Sequence, residues 1–281
     1  MAWPSLTACV KSIDVSRYDN WRNGYADYLR GRVNWPAVAA QHPEIKHVCV
    51  RLAGASSGVD PDFAYNYDEA EAAGFKVSLY VNQNPARTVA SLVLEWKAGL
   101  GSRSPKMVTL DSETMTADKA LNTRHQVDCM KAVEDMWPDA FVDVYTAPWC
   151  WNNAINHGIE GGWKLWDAGY PYFVMLPDGK YRVAWAFEEV DPLLPISNNF
   201  TPGIPQGWVL EQCGRWQFTD KAMLYPITQV STKLPRADLN YMLRSLYDSV
   251  WGETPPAPPA PTPVTVEVRH PANVTIRDVV V

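Results

Sequence analysis

Asp111 and Glu113 close an apolar run, Met107-Val-Thr-Leu-Asp-Ser-Glu113, with the i, i+2 spacing that puts two carboxyl groups on one face of a strand. At about 3.3 Å of rise per residue their Cα atoms would stand roughly 6.5 Å apart. Carboxyls that close separate their pKa values, so that one keeps its proton while the other ionises. That division equips a site for general-acid and charge-stabilising work. The plainer reading of the same residues is an Asp and a Glu that open a solvent loop.

Composition narrows the chemistry. The chain has 281 residues, 47% of them hydrophobic, enough for one large core or two modest ones. A formal net charge of −6 argues against a nucleic-acid partner, because phosphate binding calls for a basic face. The five histidines (His42, His47, His125, His157, His270) form no ligand spacing such as His-Glu-x-x-His, so no metal is expected and no cofactor is implied. Cys9, Cys49, Cys129, Cys150 and Cys213 are scattered and odd in number, and read mostly as small buried apolar residues. No apolar stretch approaches the roughly 20 residues of a membrane span, and Met1-Ala-Trp-Pro-Ser-Leu-Thr-Ala8 lacks the basic-then-apolar order of a leader. Thirteen Trp and thirteen Tyr are a large allotment, and amphipathic rings of that kind suit an open groove that holds sugars.

Short β-rich runs alternate with helical patterns up to about residue 250. Eight strands are expected, at 12–16, 47–53, 76–82, 106–113, 141–147, 163–170, 208–218 and 236–242. Helices are expected at 35–41, 63–73, 86–98, 117–136 and 149–157, with Gly74 as a helix stop and residues 116–118 supplying an N-cap. After the sixth strand the alternation fails, and 171–206 reads as a long excursion rich in Pro, Gly and Asn. The fold class is therefore α/β: an irregular TIM-like (β/α) barrel with eight strands and helices mainly in its first half. In such barrels catalytic groups sit at strand C-termini, and acids recur on these strands: Asp14, Asp111, Glu113, Asp143, Asp167 and Asp238.

Together these pieces resemble the glycoside hydrolase family 25 muramidases, over roughly residues 12–245. Ile13-Asp-Val-Ser-Arg-Tyr-Asp19 is similar to the family's opening strand, Val33-Asn-Trp35 to its following helix start, and Val59-Asp-Pro-Asp-Phe-Ala-Tyr-Asn66 with Ala72-Ala-Gly74 to its second helix. Leu110-Asp-Ser-Glu113 resembles the Asp-x-Glu catalytic motif. Val144-Tyr-Thr146, Leu165-Trp-Asp-Ala-Gly-Tyr170, Arg215-Trp-Gln-Phe-Thr219 and Ala237-Asp-Leu-Asn240 resemble the later strands. Two stretches depart from the family pattern: Tyr80-Val-Asn82 stands where a Tyr-His-Phe-like segment is common, and Arg51-Leu-Ala-Gly-Ala-Ser-Ser-Gly58 where Thr-Glu-Gly is common.

The resemblance implies a peptidoglycan hydrolase that cleaves the β-1,4 bond between N-acetylmuramic acid and N-acetylglucosamine. It implies Glu113 as general acid, Asp111 as the ionised stabiliser, and Asp14 and Asp238 in the same pocket, with Tyr80, Tyr145, Trp166 and Trp216 as candidates for the sugar platform. Each of these aromatics has core packing as its bland alternative. Asp143 and Asp167 receive no family role, and alternation from Trp166 could turn Asp167 out of the barrel.

Three units are expected: a catalytic barrel over 1–252, a Pro-rich linker over 253–263, and a hairpin-like tail over 264–281. An isolated hairpin is marginal in water, so the tail would need self-association or a virion partner. A chain that starts its barrel near residue 1 without a leader suits a phage lysin or virion-associated enzyme acting on the bacterial wall. A non-catalytic, glycan-binding component of a phage particle is the alternative, and chitin is the alternative substrate.

Overall fold

The run that ends in the two acids forms a strand buried along its whole length, and its neighbours on both sides are parallel strands of the same kind. The computed structural model describes residues 8–17, 32–56, 58–170, 202–223 and 236–252, with 174–175, 181–182, 187 and 190. The strands are β1 (Cys9–Val15), β2 (Ile45–Gly54), β3 (Gly58–Val59), β4 (Lys76–Asn82), β5 (Met107–Asp111), β6 (Phe141–Thr146), β7 (Lys164–Ala168), β8 (Val174–Met175), β9 (Tyr181–Arg182), β10 (Cys213–Met223) and β11 (Arg236–Leu243). The helices are α1 (Trp35–Gln41), α2 (Phe63–Ala72), α3 (Val89–Leu100), α4 (Lys119–Met136), α5 (Pro148–Ala154) and α6 (Arg244–Trp251).

Eight strands close a barrel in the order β1-β11-β10-β7-β6-β5-β4-β2, sealed by parallel pairing of β1 with β2. All neighbours are parallel except β11, which runs antiparallel to both β1 and β10. That departs from an all-parallel barrel. Because β11 is reversed, its first residues lie at the same mouth as the last residues of the other strands. The expected linker at 253–263 and hairpin at 264–281 lie outside the described residues.

Sequence chemistry sets the helix ends. Asn34 caps α1 by accepting from the Ala37 N–H at 3.3 Å, and Asp118 caps α4 by accepting from Ala120 and Leu121. Gly74 follows α2 with φ of +93°, a conformation open to glycine at no steric cost. Helix α6 was not expected from the pattern. It packs Leu246 and Tyr247 against Val10, Met107 and Met242, closing the end of the barrel opposite the acids.

The main apolar core lies outside the barrel wall, between strands and helices: Ile13, Val48, Val50, Leu79, Val108, Leu110 and Val144 face Phe63, Leu92, Trp96, Met130 and Val133. The alternate residues of the same strands point inward and are largely polar. Near the closed end His47 bonds Ser12 Oγ at 2.6 Å and Ser78 Oγ at 2.8 Å, and burial holds its pKa well below the ordinary value. Above it Arg215 grips Asp143 with two bonds, Nη2 to Oδ1 at 2.7 Å and Nε to Oδ2 at 2.9 Å, and also donates to Thr109 Oγ1. The guanidinium carbon lies 3.8 Å from the centre of the Trp166 ring. The acid at 143 is thereby accounted for as the partner of an interior cation.

Removing one member of this pair strands a charge in a dry interior. Asp143→Leu is therefore expected to lower unfolding free energy by about 3–5 kcal/mol, and the double variant Asp143→Leu/Arg215→Met to cost less than the sum of its parts. Urea unfolding of the two single variants and the double variant checks this; additive losses would contradict it.

Candidate active site

At the open mouth inward-facing residues of all eight barrel strands meet around a cavity of about 330 Å³. Its lining includes Asp14, Asp111, Glu113 and Asp238, with Arg51, Tyr80, Asn82, Tyr145, Trp166, Gln217 and Asp220. Asp14 comes from the end of β1 and Asp238 from the start of β11, and the two are direct antiparallel partners. Asp111 is the last residue of β5. Alternation persists past the strand end: Ser112 turns outward to Gln126 Oε1 at 2.7 Å on α4, and Glu113 turns back to the mouth.

Amides tie the acids to the wall. Gln217 Nε2 donates to Asp14 Oδ2 at 2.8 Å and reaches Asp238 Oδ2 at 3.4 Å. Asn240 Nδ2 donates to the same Asp14 oxygen at 2.8 Å, while its own oxygen accepts from Trp166 Nε1 at 2.8 Å. The hydroxyls of Tyr145, at 2.7 Å, and Tyr170 donate to Gln217 Oε1, which fixes the orientation of that amide. On the other side Asn82 Nδ2 donates to Asp111 Oδ2. Arg51 lines the mouth while paired with Asp60, its Nε 2.8 Å from Asp60 Oδ2.

Burial governs the protonation of this cluster. Asp14 is pushed up to about 6, first by desolvation, with partial relief from Asn240, Gln217, a bond with Asp238 and the charge of Arg215. Glu113 is pushed up to about 7 by burial and by the negative charge of Asp14, with the Tyr145 hydroxyl pulling the other way. Asp111 is raised well above the carboxylate range by burial and by Glu113. Two carboxyls so placed retain a proton near neutrality. Depth alone would put that proton on Asp111. The donors oppose this, because Asp111 receives the Asn82 amide, the Glu113 backbone N–H and the field of Arg51, whereas Glu113 has only a hydroxyl already committed to Gln217. Asp111 is thus better supplied with donors for a carboxylate than Glu113, although burial still leaves both raised.

The eight residues singled out from sequence divide seven to one. Asp14, Asp111, Glu113, Asp238, Tyr80, Tyr145 and Trp166 line the cavity. Trp216 does not: strand alternation aims it outward, where it is fully buried against Phe218 and Tyr241 and donates to the Gly169 carbonyl at 2.8 Å. Trp166 lines the mouth but is only 2% exposed, its ring edge-on to Tyr145, so it supports the wall more than it offers a platform. Asp167 also turns outward and accepts from the Gly203 N–H at 2.9 Å. Arg51, Asn82, Gln217, Asn240 and Asp220 were not singled out. Arg51 and Asn82 lay in the two stretches that depart from the family pattern, and Gln217 and Asn240 lay inside quoted motifs, two residues from Arg215 and Asp238. Among the described residues no cluster of three or more His, Cys, Asp or Glu side chains is arranged to hold a metal ion.

The profile of the Glycosyl hydrolases family 25 matches residues 13–193. No curated protein matches the chain. Solved structures resemble it in fold. The CTP1L endolysin superposes with a TM-score of 0.60 at 18% identity, over 87% of this chain and 70% of that one. A family 25 glycosyl hydrolase from Bacillus anthracis gives 0.59 at 12% identity, over 89% and 95%. A muramidase from Trichobolus zukalii gives 0.57 at 17%, over 87% and 100%.

The raised carboxyls weigh on stability in a definite direction. Glu113 titrates at about 7 in the fold against an ordinary 4.5, so its contribution is whole below pH 4.5 and is lost as pH rises through 7. Glu113→Gln cannot ionise. Relative to wild type, the variant should gain on the order of 2 kcal/mol between pH 4 and pH 8, read from unfolding curves at both pH values. An unchanged difference would contradict the shift.

Proposed function

The chain belongs to glycosyl hydrolases family 25, and from that membership and the mouth geometry we propose that it cleaves peptidoglycan at the β-1,4 bond between N-acetylmuramic acid and N-acetylglucosamine. As a family member it is a glycoside hydrolase; the substrate, the residue roles and the setting are our reading. The observation that carries the reading is the convergence of Asp14, Asp111, Glu113 and Asp238, from three separate stretches of chain, on one cavity.

Glu113 serves as the general acid. With a pKa near 7 it still holds a proton at neutral pH and can deliver it to the leaving glycosidic oxygen. Asp111 carries the negative charge that steadies the developing oxocarbenium ion or the substrate's acetamido group. Asn82 holds that carboxylate in place, and a second carboxylate nearby, Asp14, keeps Glu113 protonated by repulsion. Asp238 completes the far wall beside Asp14. Tyr80 and Tyr145 flank the sugar. The closed barrel with its reversed last strand is read as an irregular derivative of the TIM-type scaffold. Among the described residues no helix is long and apolar enough to cross a membrane. A phage lysin attacking the bacterial wall is the setting we favour, in keeping with the likeness to endolysins.

Purified protein incubated with peptidoglycan should release fragments that mass spectrometry identifies as ending in reducing muramic acid. Glu113→Gln should lower the rate by at least about 100-fold while the protein stays folded, and wild-type activity should decline as pH rises past about 7. Fragments ending in reducing glucosamine, or an active Glu113→Gln enzyme, would overturn the assignment.

A further inference from the structure

Four large apolar side chains stand exposed among the described residues: Leu94, Val127, Trp149 and Val209. Leu94 and Val127 lie on the outer helices α3 and α4, and Val209 lies in the approach to the start of β10. Trp149 is different in position. It sits in the first turn of α5, immediately after β6 delivers Tyr145 to the cavity, and it is 66% exposed. Tryptophan is among the side chains that bury most area, so an indole left in water at a strand C-terminus requires an explanation.

The turn that presents this ring is fixed on three sides. The next residue, Cys150, donates its thiol to the backbone carbonyl of Glu113 at 3.3 Å, which seats α5 against the proposed acid. Trp151 is fully buried, packs on Trp208 at 5.6 Å between ring centres and donates Nε1 to Glu160 at 3.1 Å. Asn152 accepts from the Gln206 N–H at 2.7 Å. Helical twist does the rest: residues two apart on α5 point to nearly opposite sides, so with Trp151 anchored in the core Trp149 is held outward on a rigid support, and little backbone freedom is lost when something covers it.

The cavity supplies the occupant. At about 330 Å³ it is at the small end of ligand sites, with room for little beyond the sugars that flank the scissile bond. A polymer cut there must leave across the rim. An indole face is matched to the apolar C–H face of a pyranose ring, the same chemistry that half-buried Tyr80 offers inside the cavity.

We propose that Trp149 is a stacking platform for a sugar of the glycan strand outside the catalytic cavity, and so sets affinity for polymer over short fragments. The inference rests on the proposed glycanase function. Its role is binding, because the side chain lies beyond the reacting atoms.

The test uses soluble, uncross-linked peptidoglycan strands. Trp149→Ala should raise KM about tenfold with kcat within about twofold of wild type, and Trp149→Tyr, which restores a ring, should recover most of the loss. In the Glu113→Gln background, the same strands should quench tryptophan fluorescence, and the added Trp149→Ala change should abolish most of that signal. Wild-type turnover of the strands tests the underlying function separately, while the variant ratios and the quenching test the platform. A KM for Trp149→Ala within about twofold of wild type, or a Trp149→Tyr enzyme as impaired as Trp149→Ala, would overturn the proposal.

Discussion

The inside of this barrel is closed off from solvent, yet the side chains aimed there are Ser12, His47, Ser78, Thr109, Asp143, Arg215, Gln217 and Asn240. A buried polar group without a partner costs about 1–3 kcal/mol, and a buried unpaired charge costs more. Each interior group therefore has to find its partner across the barrel, and the partners found are specific: histidine between two serines, arginine on aspartate and threonine, amides on carboxylates. The apolar layer between wall and helices drives collapse and tolerates exchange of like for like. The interior network leaves far less latitude, because it fixes which strand ends lie beside which.

The same constraint prepares the chemistry. Gln217 and Asn240 are held by Tyr145, Tyr170 and Trp166, and so present their N–H groups to a single oxygen of Asp14. Asp14 then sits close enough to Glu113 to raise its pKa, while Asn82 and Arg51 favour charge on Asp111. Dry walls make each of these terms larger than it would be in water. The result is a cluster of acids in unlike environments, the condition under which carboxyls of similar intrinsic strength take different roles. The antiparallel β11 is part of this arrangement, since only a reversed strand brings its early residue Asp238 beside the closing residues of β1.

Much of this was legible in the chain. Period-two alternation and turn residues located all eight barrel strands, and β4 and α1 match their expected bounds of 76–82 and 35–41. The apolar run before Asp111 identified the strand that carries the acids. Helix α6 was missed because no element was assigned between the last strand and the Pro-rich stretch, although Leu246, Tyr247 and Val250 recur at helical spacing. The direction of β11 was missed because alternation is the same in either direction. Trp216 was misplaced for a related reason: the neighbouring Arg215 and Gln217 carry the inward positions, and a motif read as a block does not say which of its residues face in. The amide relay was illegible for another reason. Gln217 and Asn240 acquire their role from partners scattered along the chain, from Tyr145 and Trp166, 72 and 74 residues away, to Asp14, 203 and 226 residues away.

The central claim is that burial and the nearby carboxylate of Asp14 keep Glu113 protonated near neutrality. Carbon-13 labelling of the carboxyl side chains, with Glu113 assigned through its Gln variant, allows that group to be titrated by NMR in the folded enzyme. The account predicts a Glu113 resonance that titrates near pH 7 and moves toward the ordinary 4.5 when Asp14 is replaced by Asn. A Glu113 that titrates at about 4.5 in the intact protein would contradict it.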